Sequence, residues 1–276
     1  MKASVLAVPA LEAGRGGGHL ARAAALVSAL RAVDRDAWLY VPAASAGTLA
    51  AFPGNLHAIA KENLRSHTWD WIVLDKFRTS PEEFEFWRSL GSLIGIDEGG
   101  PCRDRFDFLL DLLPGLPGRR PPNLSAPVLL PLPKNRKERP FSLPGPNTPL
   151  RILVSFGAED SAGLTVPLCR ALRTLAGPER AEISALFGPL YRAGKKAPGI
   201  VQNEKMPSIV QNSFVVLQAR PELREELADY DLVLSHFGLT AFEALHAGVP
   251  VLLASPGPYH EKLARAAGLV SAGIGR

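Results

Sequence analysis

The stretch Asp229–Ser255, DYDLVLSHFGLTAFEALHAGVPVLLAS, decides the fold prediction for this chain. A short apolar run, Leu232–Leu234, precedes a helical pattern that opens at Thr240, and a glycine stands where a helix often ends. A second apolar run, Val249–Ala254, completes a strand–helix–strand unit with parallel strands. Such a unit places the turn 235–240 at the carboxyl edge of a sheet, before a helix start whose amides favour anions. The stretch therefore predicts an α/β domain with a phosphate-binding turn.

Six residues of this stretch match a known pattern: Ser235, Gly238, Thr240, Glu243, Gly248 and Pro250. They resemble the C-terminal domain of GT-B type sugar-nucleotide enzymes, which include MurG-like glycosyltransferases, SpsG-like polysaccharide biosynthesis proteins and the UDP-sugar hydrolase of pseudaminic-acid biosynthesis. The resemblance implies that the turn faces the donor pyrophosphate and that Glu243 binds the ribose hydroxyls. Thr240 and Glu243 also have the spacing of a capping box, which needs no ligand.

Composition and charge narrow the class of protein. A chain of 276 residues suits two α/β domains, and no apolar run approaches the roughly 20 residues of a membrane span. The net charge of +4 is small and has no recognition pattern beside it, so we expect no nucleic-acid partner. Cys102 and Cys169 have no metal or redox spacing, which favours a reducing cytoplasm over a disulfide framework.

A glycine loop follows the first apolar run, Val5–Val8, and precedes a helical pattern at Leu20–Val33. The loop lacks a Walker lysine and the third glycine of a dinucleotide fingerprint, so ATP and NAD are not expected. Its residues Gly16, Gly17, Gly18, His19 and Arg22 match the N-terminal loop of the same sugar-nucleotide enzymes. The resemblance implies that the glycines and Arg22 contact the substrate and that His19 is the general base.

Elementary chemistry is compatible with that role for His19. A helix start disfavours imidazolium, and a neutral imidazole can accept a proton from an attacking hydroxyl or water. The alternative is a histidine that only caps or hydrogen-bonds the loop.

Two acidic positions follow predicted strands of the N-terminal half. Asp75 ends the apolar run Trp69–Leu74 and is a catalytic candidate that binds or orients substrate, although an N-cap is equally compatible. Phe77 stands where the hydrolases have an active-site tyrosine. Asp97 and Glu98 follow the strand Ser92–Ile96, and adjacent residues of an extended chain point to opposite faces, so we predict no shared site and no metal.

The proline-rich, basic stretch 134–149 is predicted to be a solvated linker, with peripheral membrane contact as the alternative. It divides the chain into an N-terminal domain, 1–133, and a nucleotide-sugar-binding domain, 150–276. The expected fold is two Rossmann-like domains facing across a cleft.

Further candidate ligands lie in the C-terminal half. Gly157 matches a family glycine, but Ala158 replaces the second and puts a Cβ where backbone approaches the ligand. Leu217 begins a segment where relatives hold uracil through main-chain groups. Near the C-terminus, Glu261 replaces a sugar-binding glutamine of MurG-like proteins, and His260 beside it is a candidate donor contact.

The resemblance implies a UDP-sugar-dependent glycosyltransferase of cell-surface polysaccharide biosynthesis. Its donor is a UDP-sugar, its acceptor a sugar, a lipid-linked sugar or water, and it requires neither cofactor nor metal. Phe77 and Ala264 depart from the hydrolase at two active-site positions, which favours transfer over hydrolysis. A non-catalytic sugar-nucleotide-binding protein is the third interpretation, and the retained His19 argues against it.

Overall fold

The computed structural model describes residues 3–11, 18–42, 57–116, 118, 120–130, 132–141, 144–145, 147–188, 191, 214–218 and 223–275. The chain divides into two compact units, Met1–Leu130 and Pro131–Arg276. Each unit is built on one parallel sheet with helices. The predicted α/β class with two Rossmann-like domains is confirmed.

The first unit contains seven described strands. They are β1 (Ser4–Pro9), β2 (Asp36–Tyr40), β3 (Ala58–Ile59), β4 (Trp71–Asp75), β5 (Ser92–Ile96), β6 (Phe108–Asp111) and β7 (Leu124–Ser125). They pair in the order β3-β2-β1-β4-β5-β6-β7, all parallel. The strand order changes direction between β1 and β4, and ligands of open α/β sheets bind outside the carboxyl ends of strands at such a point.

Two α-helices of the first unit are described, α1 (Gly18–Ala32) and α2 (Pro81–Arg88). Helix α2 starts with a complete capping box: Ser80 accepts from the amide of Glu83, and the Glu83 carboxylate accepts from the amide of Ser80. With Pro81 at the first helical position, this signal sets the helix start. The apolar core of the unit includes Phe84 of this helix.

The described residues of the second unit form six strands and four α-helices. The strands are β8 (Leu150–Ser155), β9 (Ala181–Phe187), β10 (Val215–Gln218), β11 (Leu232–Ser235), β12 (Val251–Ser255) and β13 (Ser271–Ile274). The helices are α3 (Thr165–Ala176), α4 (Leu223–Glu226), α5 (Leu239–His246) and α6 (Pro258–Ala266). The parallel strands pair in the order β10-β9-β8-β11-β12-β13, so the order changes direction between β8 and β11.

The basic run that was predicted to be a solvated linker packs on the second unit. The amides of Lys134 and Asn135 donate to Glu225, and the amide of Lys137 donates to the carbonyl of Ala247. The Lys137 side chain adds an ion pair of 2.8 Å with Asp231. The structure therefore groups this run with the second unit. No helix in the described part of the chain is long and apolar enough to cross a membrane.

Candidate functional site

The first candidate site lies at the carboxyl edge of the first sheet, between β1 and β4. His19 is in the first turn of α1, and its Nδ1 lies 2.6 Å from Oδ1 of Asp75, the last residue of β4. The two residues are 4% and 2% exposed. An ionised carboxylate only accepts hydrogen bonds, so Nδ1 carries the proton and Nε2 carries the lone pair of the neutral ring. The pair is therefore an oriented imidazole with a defined basic nitrogen.

Asp75 does not act as the N-cap of the next helix, because Ser80 has that position in α2. Its carboxylate instead contacts His19 and Arg22. Of the two interpretations of Asp75 from sequence, the structure favours the orienting residue.

Arg22 lies one turn further along α1 and joins Asp75 to a second carboxylate. Its Nε and Nη2 contact Asp75 at 2.9 and 2.5 Å, and its Nη1 contacts Oδ2 of Asp97 at 2.6 Å. The other oxygen of Asp97 accepts from the amides of Leu112 and Leu113 at 2.7 and 2.8 Å. Sequence analysis assigned Arg22 to substrate binding, whereas the structure turns its guanidinium toward two carboxylates.

The adjacent acids Asp97 and Glu98 do diverge, as predicted. Glu98 accepts from the amide and hydroxyl of Thr79 and from the amide of Gly100. Asp97, however, joins the His19 cluster, which the sequence analysis did not predict. Its contact with Arg22 depends on β5 lying beside β4.

Burial and charge oppose each other in this cluster. Burial alone would raise the pKa of Asp75, but Arg22, His19 and their hydrogen bonds lower it to about 2. Burial would lower the pKa of Arg22, and the two carboxylates outweigh it and raise the pKa. Burial raises the pKa of Asp97 because Arg22 and the Leu113 amide offset it only in part. Asp75 is therefore ionised at neutral pH.

The depressed pKa of Asp75 predicts a loss of stability in acid. Asp75 binds its proton more weakly in the folded than in the unfolded state, where the reference value is about 3.9. Its contribution is thus complete above the unfolded pKa and is lost as pH falls through the folded value near 2. We expect about 2 kcal/mol of the unfolding free energy of the first unit to disappear between roughly pH 5 and 2.

All four tryptophans lie in the first unit, so fluorescence-detected denaturation measures that unit. Asp75→Asn should show a shallower dependence of unfolding free energy on pH over this range. Equal slopes in the two proteins would contradict the proposed linkage.

Phe77 packs against the catalytic candidate. Its ring meets the His19 imidazole edge-on at 4.5 Å, and its backbone has a φ of +61°. A non-glycine residue rarely adopts this conformation, and the amide of Gly99 donates to its carbonyl. The position of the family tyrosine is thus occupied by an apolar ring in contact with His19.

The second candidate site lies at the direction change of the second sheet, after β8 and β11. Gly157 has a φ of +75°, which favours glycine. Asp160 follows it, and its two carboxylate oxygens accept from the amides of Leu164 and Thr165 at 2.8 and 3.0 Å. The start of α3 is therefore filled by a carboxylate of the chain, and the amides of Leu164 and Thr165 are not open to a diphosphate.

Ala158, at the position of the second glycine in the enzymes that the sequence resembles, packs closely against Gly188, the residue after β9. A Cβ added to Gly188 would lie 2.2 Å from Cα of Ala158. A residue larger than glycine at position 188 would therefore displace the Ala158 backbone.

His236 joins the two turns, and sequence analysis missed it. Its Nδ1 is 2.9 Å from the carbonyl oxygen of Phe237, and its Nε2 is 3.2 Å from that of Phe156. A neutral imidazole has one N–H and donates to only one of these oxygens. Burial lowers the pKa of His236, opposed by the two carbonyl contacts. The sequence could have identified His236 as a candidate, because it immediately follows Ser235, the last residue of β11, at the carboxyl edge of the sheet.

Helix α5 begins with Gly238 as N-cap and no side-chain cap. Thr240 is inside the helix, so the alternative interpretation of Thr240 and Glu243 as a capping box is wrong. Glu243 is 9% exposed, and its Oε1 accepts from Nε of Arg224 at 2.8 Å. Burial raises the pKa of Glu243, and Arg224 partly offsets the effect. Ser235, at the end of β11, is buried below this helix start.

Helix α6 begins at Pro258, so His260 and Glu261 lie in its first turn. Proline fixes a helical φ and lacks an N–H, which suits the first helical position. The Glu261 carboxylate accepts from Ser255, Ser271 and Arg265, and the bonds from Ser271 and Arg265 lower its pKa to about 2. Glu261 therefore links helix α6 to the end of β12 and the start of β13. The His260 ring lies 5.5 Å from that of His236.

The remaining predicted ligands are placed only in part. Leu217, in β10, is half-buried and packs against the apolar cluster around Leu153. Gly18 is the first residue of α1, while Gly16 and Gly17 lie outside the described residues. Within the described ranges, no group of three or more His, Cys, Asp or Glu residues is placed to hold a metal.

Comparison with known proteins gives a fold and no assigned activity. No family model matches the chain. An uncharacterized protein of Methanocaldococcus jannaschii is 26% identical over 103 residues, which is 37% of this chain and 20% of that protein. The match thus spans about a fifth of its length.

Solved structures match almost the whole chain. Spinosyn rhamnosyltransferase SpnG complexed with thymidine diphosphate has a TM-score of 0.60 at 16% identity, covering 98% of this chain and 85% of that one. The glycosyltransferase SnogD from Streptomyces nogalater has a TM-score of 0.54 at 17% identity, covering 99% and 87%. The chain has the GT-B fold.

A GT-B fold does not by itself fix the reaction. A putative UDP-N-acetylglucosamine 2-epimerase from Listeria monocytogenes also matches, with a TM-score of 0.50 at 10% identity, covering 92% of this chain and 79% of that one. One fold hosts different chemistries, so the function has to be argued from the site.

Proposed function

We propose that this protein is a glycosyltransferase that uses a nucleoside-diphosphate sugar, with a UDP-sugar as donor and His19 as general base. The observation that carries the proposal is the buried His19–Asp75 contact of 2.6 Å, which leaves Nε2 as the basic nitrogen. The second unit supplies the nucleotide-binding residues, because Glu243 is a buried carboxylate beside an uncapped helix start. The GT-B likeness, including a relative bound to thymidine diphosphate, supports the substrate class.

The proposed step balances without a metal ion or a cofactor. His19 Nε2 takes the proton of an acceptor hydroxyl while the oxygen bonds to the anomeric carbon of the donor. The bond from that carbon to the diphosphate oxygen breaks, and the nucleoside diphosphate leaves with the electron pair. Amides at the starts of α5 and α6, which no side chain caps, favour the added negative charge.

The acceptor is a sugar or a lipid-linked sugar of a cell-surface polysaccharide, and water in its place would give hydrolysis. Phe77 lacks a hydroxyl and presents an apolar ring to His19, which disfavours a water-binding site beside the base. The test is release of nucleoside diphosphate from a panel of UDP- and TDP-sugars, with and without acceptor sugars. Release that depends on an acceptor supports transfer, and equal release without one identifies a hydrolase. Tight nucleotide binding with no release would contradict both and identify a binding protein.

Glu243→Ala should weaken UDP binding by about 1 to 3 kcal/mol, because a buried carboxylate that accepts ribose hydroxyls is lost. Calorimetry on the full chain measures this affinity. The matched control is Glu225→Ala, which removes a carboxylate that accepts from the amides of Lys134 and Asn135 in the same unit. Unchanged UDP affinity in Glu243→Ala would leave the residue as a structural partner of Arg224.

A further inference from the structure

The cluster around His19 contains more charge than an oriented base requires. Asp75 alone would fix the tautomer of His19, yet Arg22 reaches a second carboxylate, Asp97, at 2.6 Å. Asp97 is fully buried, and two backbone amides hold its other oxygen. Its φ of +51° is uncommon for a non-glycine residue, so the chain holds this carboxylate in place at a conformational cost.

The formal charges in this buried cluster are not balanced when His19 is neutral. Both oxygens of Asp97 accept hydrogen bonds, from Arg22 and from two backbone amides, as those of an ionised carboxylate do. Two carboxylates therefore face one guanidinium, which leaves one negative charge. Protonation of His19 brings the sum to zero. No neighbouring group supplies the missing positive charge among the described contacts: Lys76 pairs with Glu83 at 2.5 Å, and Glu98 is itself acidic and accepts from Thr79 and Gly100. The uncompensated negative charge is therefore matched to the imidazolium that forms when a nucleophile loses its proton.

We propose that Arg22 and Asp97 are positioning residues of the base: Arg22 holds Asp75 in the rotamer that accepts from Nδ1 of His19, and Asp97 supplies the extra negative charge that stabilises the imidazolium. This inference rests on the proposed role of His19. Neither residue touches the reacting atoms in this scheme. Arg22 acts through Asp75, which receives two of the three guanidinium contacts, and Asp97 acts through its charge.

Two substitutions change the charge near His19 in opposite directions, so the midpoint of its titration should also shift in opposite directions. Loss of a merely structural contact would not give this result. Asp97→Asn removes the excess negative charge, so imidazolium is less stable and the midpoint of the His19 titration moves to lower pH. Arg22→Gln removes the positive charge, so the midpoint moves to higher pH. Each shift should be about one pH unit, which is typical of one nearby charge in a buried site. Arg22→Lys restores the charge without the bidentate geometry and should return most of the shift.

The measurement is ¹⁵N NMR of the histidines in the full chain, with the His19 signal assigned from His19→Asn. It needs no turnover, so it gives a result even if no nucleotide sugar is consumed. The matched control is Asp111→Asn, which breaks another buried pair of the first unit, Arg103–Asp111 at 2.7 Å, and should leave the His19 midpoint unmoved.

Shifts in opposite directions, reversed by lysine at position 22, support the inference. Shifts in the same direction, or none in folded variants, overturn it and leave Arg22 and Asp97 as structural. If Asp97→Asn does not fold, a shift to higher pH in Arg22→Gln that Arg22→Lys reverses supports the inference, and the absence of that shift overturns it. Failure of the proposed function is seen separately, as absence of nucleoside diphosphate release from the parent protein.

In an active enzyme, the pH–rate profile is the second readout. The acid limb should move with the NMR midpoint in each variant, and turnover of Arg22→Gln should fall at least about tenfold because Asp75 loses its anchor. Donor affinity should stay unchanged, so the loss appears in kcat and not in KM.

Discussion

His19→Asn is expected to lower turnover by about 10²- to 10⁴-fold while donor affinity is unchanged, because positioned proton transfer contributes a factor of this size. Asparagine keeps a polar side chain at the start of α1 but has no basic nitrogen. Single-turnover kinetics with the active UDP-sugar measure the chemical step, and calorimetry with UDP measures binding.

The matched control is His67→Asn, the same substitution at an exposed histidine of the first unit that stacks on Trp69. This variant should keep the parent rate. The parent rate should also fall toward acid pH as His19 takes up a proton, and His19→Asn should lose that limb. An equal rate in His19→Asn and the parent would refute the assignment of the base.

Asp75→Asn should reduce turnover nearly as much, by about 10²- to 10⁴-fold, although Asp75 is not proposed to touch the substrate. An asparagine amide can donate to Nδ1 of His19 and so stabilise the wrong tautomer, which moves the lone pair away from the reacting hydroxyl. It also removes the carboxylate that receives two contacts from Arg22.

The double variant His19→Asn/Asp75→Asn distinguishes a joint action from two separate ones. Residues that act as a unit are non-additive, so the double variant should be about as slow as His19→Asn alone. Multiplied losses would show that Asp75 works independently of His19. Asp111→Asn, at another buried aspartate paired to arginine, controls for loss of stability and should keep the rate.

The strands that anchor both candidate sites could be predicted because they are short, continuous apolar runs. The runs at β1, β4, β5, β11 and β12 are of this type. Most of their positions are buried, so apolar and polar residues do not alternate along them. β13 was missed because its sequence, Ser-Ala-Gly-Ile, is small and half-exposed. Helix α2 was also missed, although Ser80, Pro81 and Glu83 carry its start signal.

Pairing across the sheet is what the sequence could not provide. His19 and Asp75 were predicted individually, one from a loop motif and the other from the end of a strand, and their contact follows from β1 lying beside β4. The link from Arg22 to Asp97 depends in addition on β5 lying beside β4, which no local pattern specifies. The contact of Glu243 with Arg224 joins helices that are separate in the chain, and it was missed for the same reason.

The capping-box interpretation failed because the helix starts earlier than its polar residue. Gly238 takes the N-cap position, so the Thr240 hydroxyl lies past the amides that it would cap. The spacing of Thr240 and Glu243 fits a capping box, but the turn after β11 starts the helix at Leu239.

The helices of the second unit differ in one respect that links ligand binding to folding. Helix α3 has the Asp160 carboxylate at its first amides, whereas α5 and α6 begin without a side-chain cap. A ligand that binds only the folded state adds stability that grows with its concentration, about 2.7 kcal/mol at a hundredfold excess over Kd. The melting temperature of the protein is thus itself a binding assay, and the nucleotide that raises it most identifies the base of the donor before any acceptor is known.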